Sequence, residues 1–448
     1  MTATSSYDPA SEEKTSAMFK AWLAPEDPQF VSQEAEKAYT QRATRILDAI
    51  QLRVPDRVPF WLQDHCYFPC KYAGITNQEA IYHIDTWFEI NKKTFLDFEP
   101  DMFFDPSWVV RTSGQTQEAL GTLSMKWPGH GVPPDHPHQF VEKEYMHADE
   151  YDEFIHHFED FNIRTWWPRN YAALEALQAL PPLHLLTGYG RLTSTCEVFA
   201  RPEIVRAFSA LQAAGLEAAK WSAAARAFSK EMNTLGFPKF IGSAAPAPFD
   251  VISDLYRGMR GSMLDMFRQP DNLLKAMDML MPRVIEMGIG GAKHSGLPGV
   301  FTALHRGSDG FMSSEQFETF YWPYLKQLVL AFINQGLTPC VFFEGDHTSR
   351  LKYYAELPKR KVLGFFDATD MHKAKEIIGD TICISGMMPV SLLQIGPAEK
   401  IKAYAKKLID TVGKGGGFIM APRSVMDYAD PKYVKVWADF TREYGVYV

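Results

Sequence analysis

Several short stretches of this chain run from apolar residues straight into a turn that carries reactive side chains. CVFFEGDHTSR (340–350) opens onto Glu344, Asp346 and His347, KVLGFFDATD (361–370) onto Asp367, and GGGFIMAPRS (415–424) onto Arg423 and Ser424. Upstream, VFTALHRGSDG (300–310) ends on His305 and Arg306, DMFFD (101–105) on Asp105, and VPFWLQ (58–63) leads through Gln63 into Asp64 and His65. Carboxylates beside an imidazole can move protons. Glu344, Asp346 and His347, joined by His305, also have the donor types of a divalent-cation site such as zinc. A His-Arg pair at a strand end suits an anion. Gln63, Asp64 and His65 read as a group that orients a substrate, and Asp367 and Phe343 as further contacts. Each also has a plainer reading: Glu344 and Asp346 as acids capping the next helix, His347 as a turn residue, Asp105 and Asp367 as caps of their own loops, and 63–65 as a solvated loop.

Reactive groups at the carboxyl ends of successive parallel strands are how a (β/α)8 barrel builds a site. From Lys239 onward, strand-like and helix-like segments alternate at roughly 30 to 45 residues per strand, the spacing of βαβ units. The expected class is α/β, a single (β/α)8 TIM barrel over 55–448. Ahead of it lies an N-terminal extension (1–54), a polar tail followed by a helix from Glu34 to Ile50. After the second strand an insertion or lid is expected at about 110–235. For the third strand KFIGS (239–243) is favoured over LHLLTGYGRL (183–192). Within the insertion, WPGHGVPPDHPH (127–138) is too rich in Pro and His for regular structure. Its His130, His136 and His138 lack the i, i+4 spacing of helical metal ligands and read as lid residues near the pocket. Gly415-Gly416-Gly417 precedes a strand, whereas a phosphate loop needs glycines between strand and helix.

The chain has 448 residues, 46% of them hydrophobic and 22% charged, with a net charge of −8. That balance fits a folded protein and argues against nucleic acid or an anionic membrane as the main partner. No stretch of 18 apolar residues occurs, and MTATSSYDPASEEK has no signal-peptide pattern, so a soluble, cytoplasmic protein is expected. Five scattered cysteines suit reduced thiols better than a disulfide framework. The aromatic content of 13%, with Trp127, Trp166, Trp167, Phe342 and Phe343 near the expected pocket, suits a flat, largely apolar ligand.

Several pieces in order carry a resemblance: PFW (59–61), Asp105 after the second strand, the APF turn (247–249) with SMLDMFRQP (262–270), SSEQFETFYWPYLKQL (313–328), and the GMMP and GGGFIMAP turns. Together they resemble the uroporphyrinogen decarboxylase superfamily, over roughly 55–105 and 238–445. That superfamily includes zinc-dependent methyltransferases that work with corrinoid proteins. The resemblance implies a barrel enzyme acting on a small molecule, with a homodimer usual in the family.

The departures sharpen the expectation. The decarboxylases follow their first strand with an arginine-rich turn and keep a histidine in the last turn; here those turns are QDHCYFP (63–69) and Arg423-Ser424. A polycarboxylate substrate needs many cationic donors, so that activity is disfavoured. The methyltransferases place His-x-Cys after the strand at 340–344 and a cysteine in the last turn; here the positions read Phe342-Phe343-Glu344 and Arg423-Ser424. The reading is methyl transfer between a small substrate and a corrinoid (cobalamin) held by a partner protein. His305-Arg306, or a zinc held by Glu344, Asp346 and His347, would polarise the methyl-bearing group, while Asp105 and His347 move protons. A metal-free decarboxylase or related lyase using Asp105 and Arg423, and a non-catalytic corrinoid- or tetrapyrrole-binding protein, stay open.

Overall fold

Apolar runs of four to six residues that lie buried on both faces form parallel strands. In the computed structural model, described over residues 6–25, 29–63, 66–109, 113–186 and 189–447, the strands fall into two sheets. β1 (Met125–Pro128), β2 (Gly131–Val132) and β3 (Gln139–Phe140) form a small sheet in the order β2-β1-β3. β4 (Ile241–Ala244), β5 (Gly299–Leu304), β6 (Thr338–Phe343), β7 (Leu363–Phe366), β8 (Cys383–Met388) and β9 (Phe418–Pro422) form a six-stranded parallel sheet in sequential order. The helices Pro270–Ser295, Trp322–Asn334 and Ala398–Thr411 are among those joining them. The α/β class is as expected.

The segments expected as the first two strands enter as single parallel bridges. Phe60 pairs with Met420 on β9, Trp61 with Met102, and Phe103 with Lys239 just ahead of β4. Trp61 N donates to Met420 O at 2.9 Å, and Phe103 N to Pro238 O at 3.2 Å. Side chains alternate between faces along each strand. One face carries a continuous set of rings: Trp61 to Phe104 (6.3 Å between centroids), Trp61 to Phe365 (4.9 Å), Phe104 to Phe301 (5.5 Å) and Phe301 to Phe365 (6.3 Å). The opposite face packs on the helices, with Phe60 against Trp437 and Phe343 stacked on Phe366.

KFIGS does supply β4, while in the competing stretch Leu183–Leu186 is a 3-10 turn and Arg191–Thr195 a short helix. Two local expectations are corrected. Residues 127–138 hold β2 and the end of β1, because Gly129 and Gly131 adopt φ of 82° and 79° and let the chain loop round tightly, so that β2 runs parallel to β1. The polar tail contains a helix, Ser11–Leu23. It lies over the amino ends of the strands: Trp22 Nε1 donates to Lys239 O (2.8 Å), Lys14 Nζ to Asn334 O (3.1 Å), and Lys361 pairs with Glu12. Inside the expected insertion, the long helix Pro202–Thr234 packs Phe228 on Phe88, Phe95 and Phe103. Among the described residues no helix is long and apolar enough to cross a membrane. The five cysteines are free thiols, Cys196 exposed and Cys66, Cys70, Cys340 and Cys383 buried.

Candidate functional site at the strand ends

After β4, Ala247-Pro248 turns the chain into a helix whose first turns carry Asp250 and Asp254, four residues apart and therefore on one face. Asp250 is buried. Its carboxylate accepts from the backbone N–H of His305 and of Arg306, each at 3.1 Å, and from Tyr321 Oη at 2.6 Å. This pins the exit of β5. Asp254 takes the two side chains instead: one oxygen meets His305 Nδ1, and the other lies 3.1 Å from Arg306 Nη2. Arg306 Nε donates to Ser253 Oγ at 2.7 Å.

The other ring nitrogen, His305 Nε2, lies 3.6 Å from Glu344 Oε2 at the end of β6. Beside them, Asp367 accepts from Gly345 N and from Arg423 Nε, both at 3.0 Å. Glu344 and Arg423 are the open members, with 49% and 42% of their side chains exposed. Phe342, two residues before Glu344 on the same face of β6, and the ring set around Trp61 lie beneath. In that floor Trp61 Nε1 and Ser385 Oγ are buried without a hydrogen-bond partner among the described residues.

Burial alone would hold the His305 imidazolium back. The hydrogen bond to Asp254 and the charges of Asp250, Asp254 and Glu344 outweigh it, and the ring is pushed up to about 9. Burial raises Glu344, and the charges of Asp367 and Asp254 add to that against His305 and Arg306. Burial likewise raises Asp250. The site therefore pairs an imidazole whose charged form is favoured with a carboxylate whose charged form is disfavoured.

The remaining expected residues are engaged in other contacts. Asp105 ion-pairs with Lys239 and accepts from Ser107 N (3.0 Å) and Oγ (2.7 Å). It is a buried, neutralised cap, with Lys239 also 5.9 Å from the Trp108 ring. His347 is fully buried; Nδ1 meets Tyr354 Oη at 2.7 Å and Nε2 meets Glu344 O at 3.1 Å. Burial pushes it down to about 4, so it is a neutral packing residue. Asp346 caps Thr348, through N at 2.9 Å and Oγ1 at 2.6 Å.

Glu344, Asp346 and His347 therefore do not form the expected zinc site. Both imidazole nitrogens are engaged, and among the described residues no group of three or more His, Cys, Asp or Glu is arranged to hold a metal ion. Phe343 faces the helices, against Phe366 and Tyr354 at 4.6 Å each, and is no pocket residue. Gln63 is buried at the exit of the first bridged segment. Asp64 and His65 lie outside the described residues. Of the three lid histidines, His138 Nδ1 meets Tyr67 Oη at 3.3 Å, His136 lies against the Tyr428 ring, and His130 stacks on Trp127.

Sequence reasoning missed Asp250, Asp254 and Tyr321, although the spacing in PFDVISDLYR was a usable signal: two acids one helical turn apart, directly after a strand. It also missed Asp427, whose Oδ1 accepts from Tyr67 N at 2.9 Å and which burial raises to about 6.

The family model Uroporphyrinogen decarboxylase (URO-D) matches residues 222–444. Curated relatives include the uroporphyrinogen decarboxylases of Chlorobium luteolum and Chlorobium phaeovibrioides, each 28% identical over 137 residues, 30% of this chain and 38% of theirs. The chain thus spans under two fifths of the length of the curated relatives it matches. Among solved structures, a methyltransferase from Methanosarcina mazei superposes with a TM-score of 0.56 at 16% identity, over 90% of this chain and 98% of that one. This is a likeness of fold. The resemblance read from the motifs is borne out, and residues 222–444 carry a URO-D domain.

Proposed function

We propose that this chain, with its URO-D domain at 222–444, is a methyltransferase that moves a methyl group between a small substrate and a corrinoid carried by a partner protein. The scaffold is a closed eight-stranded barrel; the bridges at Phe60, Trp61 and Phe103, which run from β9 round to Lys239, support that closure. The observation that carries the functional reading is the pairing at the rim. Arg306 is matched by Asp254, Arg423 by Asp367, and His305 stands between Asp254 and Glu344. Among the described residues at the rim no surplus of cations remains for a polycarboxylate, whose buried charges would each cost several kcal/mol unpaired. A small, weakly charged substrate on an aromatic floor is the better match.

When bound, the corrinoid supplies the methyl-accepting or methyl-donating cobalt. The chain's own residues hold and protonate the substrate. As the methyl leaves a substrate heteroatom, the bonding pair stays on that atom, which takes the proton from His305 Nε2; the reverse direction returns it. Glu344 orients the heteroatom or receives its proton, and Arg306 stabilises the negative charge that develops. These roles replace those first given to Asp105 and His347. No step passes through zinc, since the residues do not fit it.

The test is methyl transfer to cob(I)alamin with His305→Gln beside the parent. Loss of a positioned proton donor should slow transfer by roughly 10²- to 10⁴-fold, with little change after treatment with a chelator. An equal rate in the variant would remove His305 from the mechanism.

A further inference from the structure

The exit of β5 is held by two carboxylates, and they hold different things. Asp250 already fixes the backbone, accepting both N–H groups of residues 305 and 306. Asp254 adds nothing to that; its two oxygens go to the His305 ring and the Arg306 guanidinium. All three side chains are partly open to the mouth, with 25%, 37% and 20% exposed for Asp254, His305 and Arg306. Ion pairs at that exposure contribute only about 0 to 1 kcal/mol to folding, so stability is a poor reason for a second acid here. Orientation is a better one.

We propose that Asp254 is a positioning residue of this site, presetting His305 and Arg306 as a joint donor pair for a substrate atom that develops negative charge. A carboxylate can only accept, so the Nδ1 that faces it must carry a hydrogen. That leaves Nε2, and its proton, directed at Glu344 and the mouth. Through its other oxygen, Asp254 turns the Arg306 guanidinium to the same side, and Ser253, the preceding residue, holds Nε. Both lie in the π-helical turn Ile252–Arg257, a wider turn of a kind often found at functional sites.

The charged groups facing His305 are Asp250 and Asp254 from the helix after β4, Glu344 from β6, and Arg306 beside it, with Asp367 and Arg423 beyond Glu344. Glu142 approaches from the segment after β3, 4.0 Å from Arg306. Of these only Asp254 touches Nδ1.

This inference rests on the reading of His305 as the proton donor, but its test needs neither corrinoid nor substrate. The full-length protein is labelled with ¹⁵N-histidine, and the His305 signals are identified by their loss in His305→Gln. In the parent both ring nitrogens should carry hydrogen at pH 7.5, with deprotonation only near pH 9. In Asp254→Asn the midpoint should fall by a pH unit or more, a tenfold change in proton affinity, and the neutral ring should lose its fixed tautomer. An unchanged midpoint and tautomer in a folded Asp254→Asn would overturn the proposal. So would a parent ring that is neutral at pH 7.5 with hydrogen on Nε2 alone, a result that needs no variant. If His305 behaves as stated but no methyl transfer is found, the role of Asp254 stands and the reaction class falls.

Discussion

Two histidines flank Glu344 and end with opposite proton affinities. His305 gains a carboxylate at Nδ1 and is raised to about 9, whereas His347 is sealed among apolar groups with a hydroxyl and a carbonyl for partners and is lowered to about 4. The sequence marks both simply as polar residues after a strand, because neither burial nor the partner is written in residue type. The consequences for stability have opposite signs. His305 binds its proton more tightly when folded, so its contribution is complete below pH 6.5 and is lost as pH rises through 9. His347 resists its proton when folded, so stability is lost as pH falls from 6.5 towards 4. Urea midpoints across this range should drop on both sides, with His305→Gln flattening the alkaline side and His347→Gln the acid side. His347→Gln should also lose roughly 1 to 3 kcal/mol at neutral pH, from polar groups left unpaired in the core. Asp105 was legible as a residue, but its ion pair with Lys239 was not. Asp105→Asn leaves the largely enclosed Lys239 without its ion pair, at a cost of about 3 to 5 kcal/mol. Combining it with Lys239→Met should recover most of that loss in a denaturation curve, an outcome a catalytic Asp105 gives no reason to expect.

At the scale of elements, β4 to β9 were readable because each is a short apolar run bounded by a polar turn, and length and flanking turn residues, rather than periodicity, decide such cases. The helix Ser11–Leu23 was not. Its buried positions are Ser11, Thr15, Phe19 and Trp22, so half of its inner stripe is hydroxylic and looks like a solvated tail. Its attachment can be measured. Trp22 packs edge-on to Phe240 at 5.0 Å and donates to Lys239 O; Trp22→Ala should cost about 3 to 5 kcal/mol, seen as a lower urea midpoint. The small sheet was missed for another reason. Two glycines at positive φ loop the chain round inside a proline-rich stretch, which composition alone reads as irregular.

For the whole molecule, the alternation of strands and helices gave the α/β class, and the order of motifs gave a resemblance that the URO-D family model matches over residues 222–444. The site was only partly legible. His305, Arg306, Glu344, Asp367 and Arg423 do gather at the strand ends, because parallel strands deliver their last residues to one end of the sheet. Asp250 and Asp254 come from a helix and join them through tertiary contacts that strand patterns do not encode. The pairing of charges among the described rim residues arises only in the assembled molecule, and the functional reading depends on it. The most direct test is to mix the protein with cob(I)alamin and, in turn, methanol, trimethylamine, dimethyl sulfide and methoxybenzene, and to follow formation of methylcobalamin by absorbance. Protein-dependent formation with at least one donor, lost in His305→Gln, is the expected result. No methylcobalamin with any of the four would contradict methyl transfer as the activity of this chain.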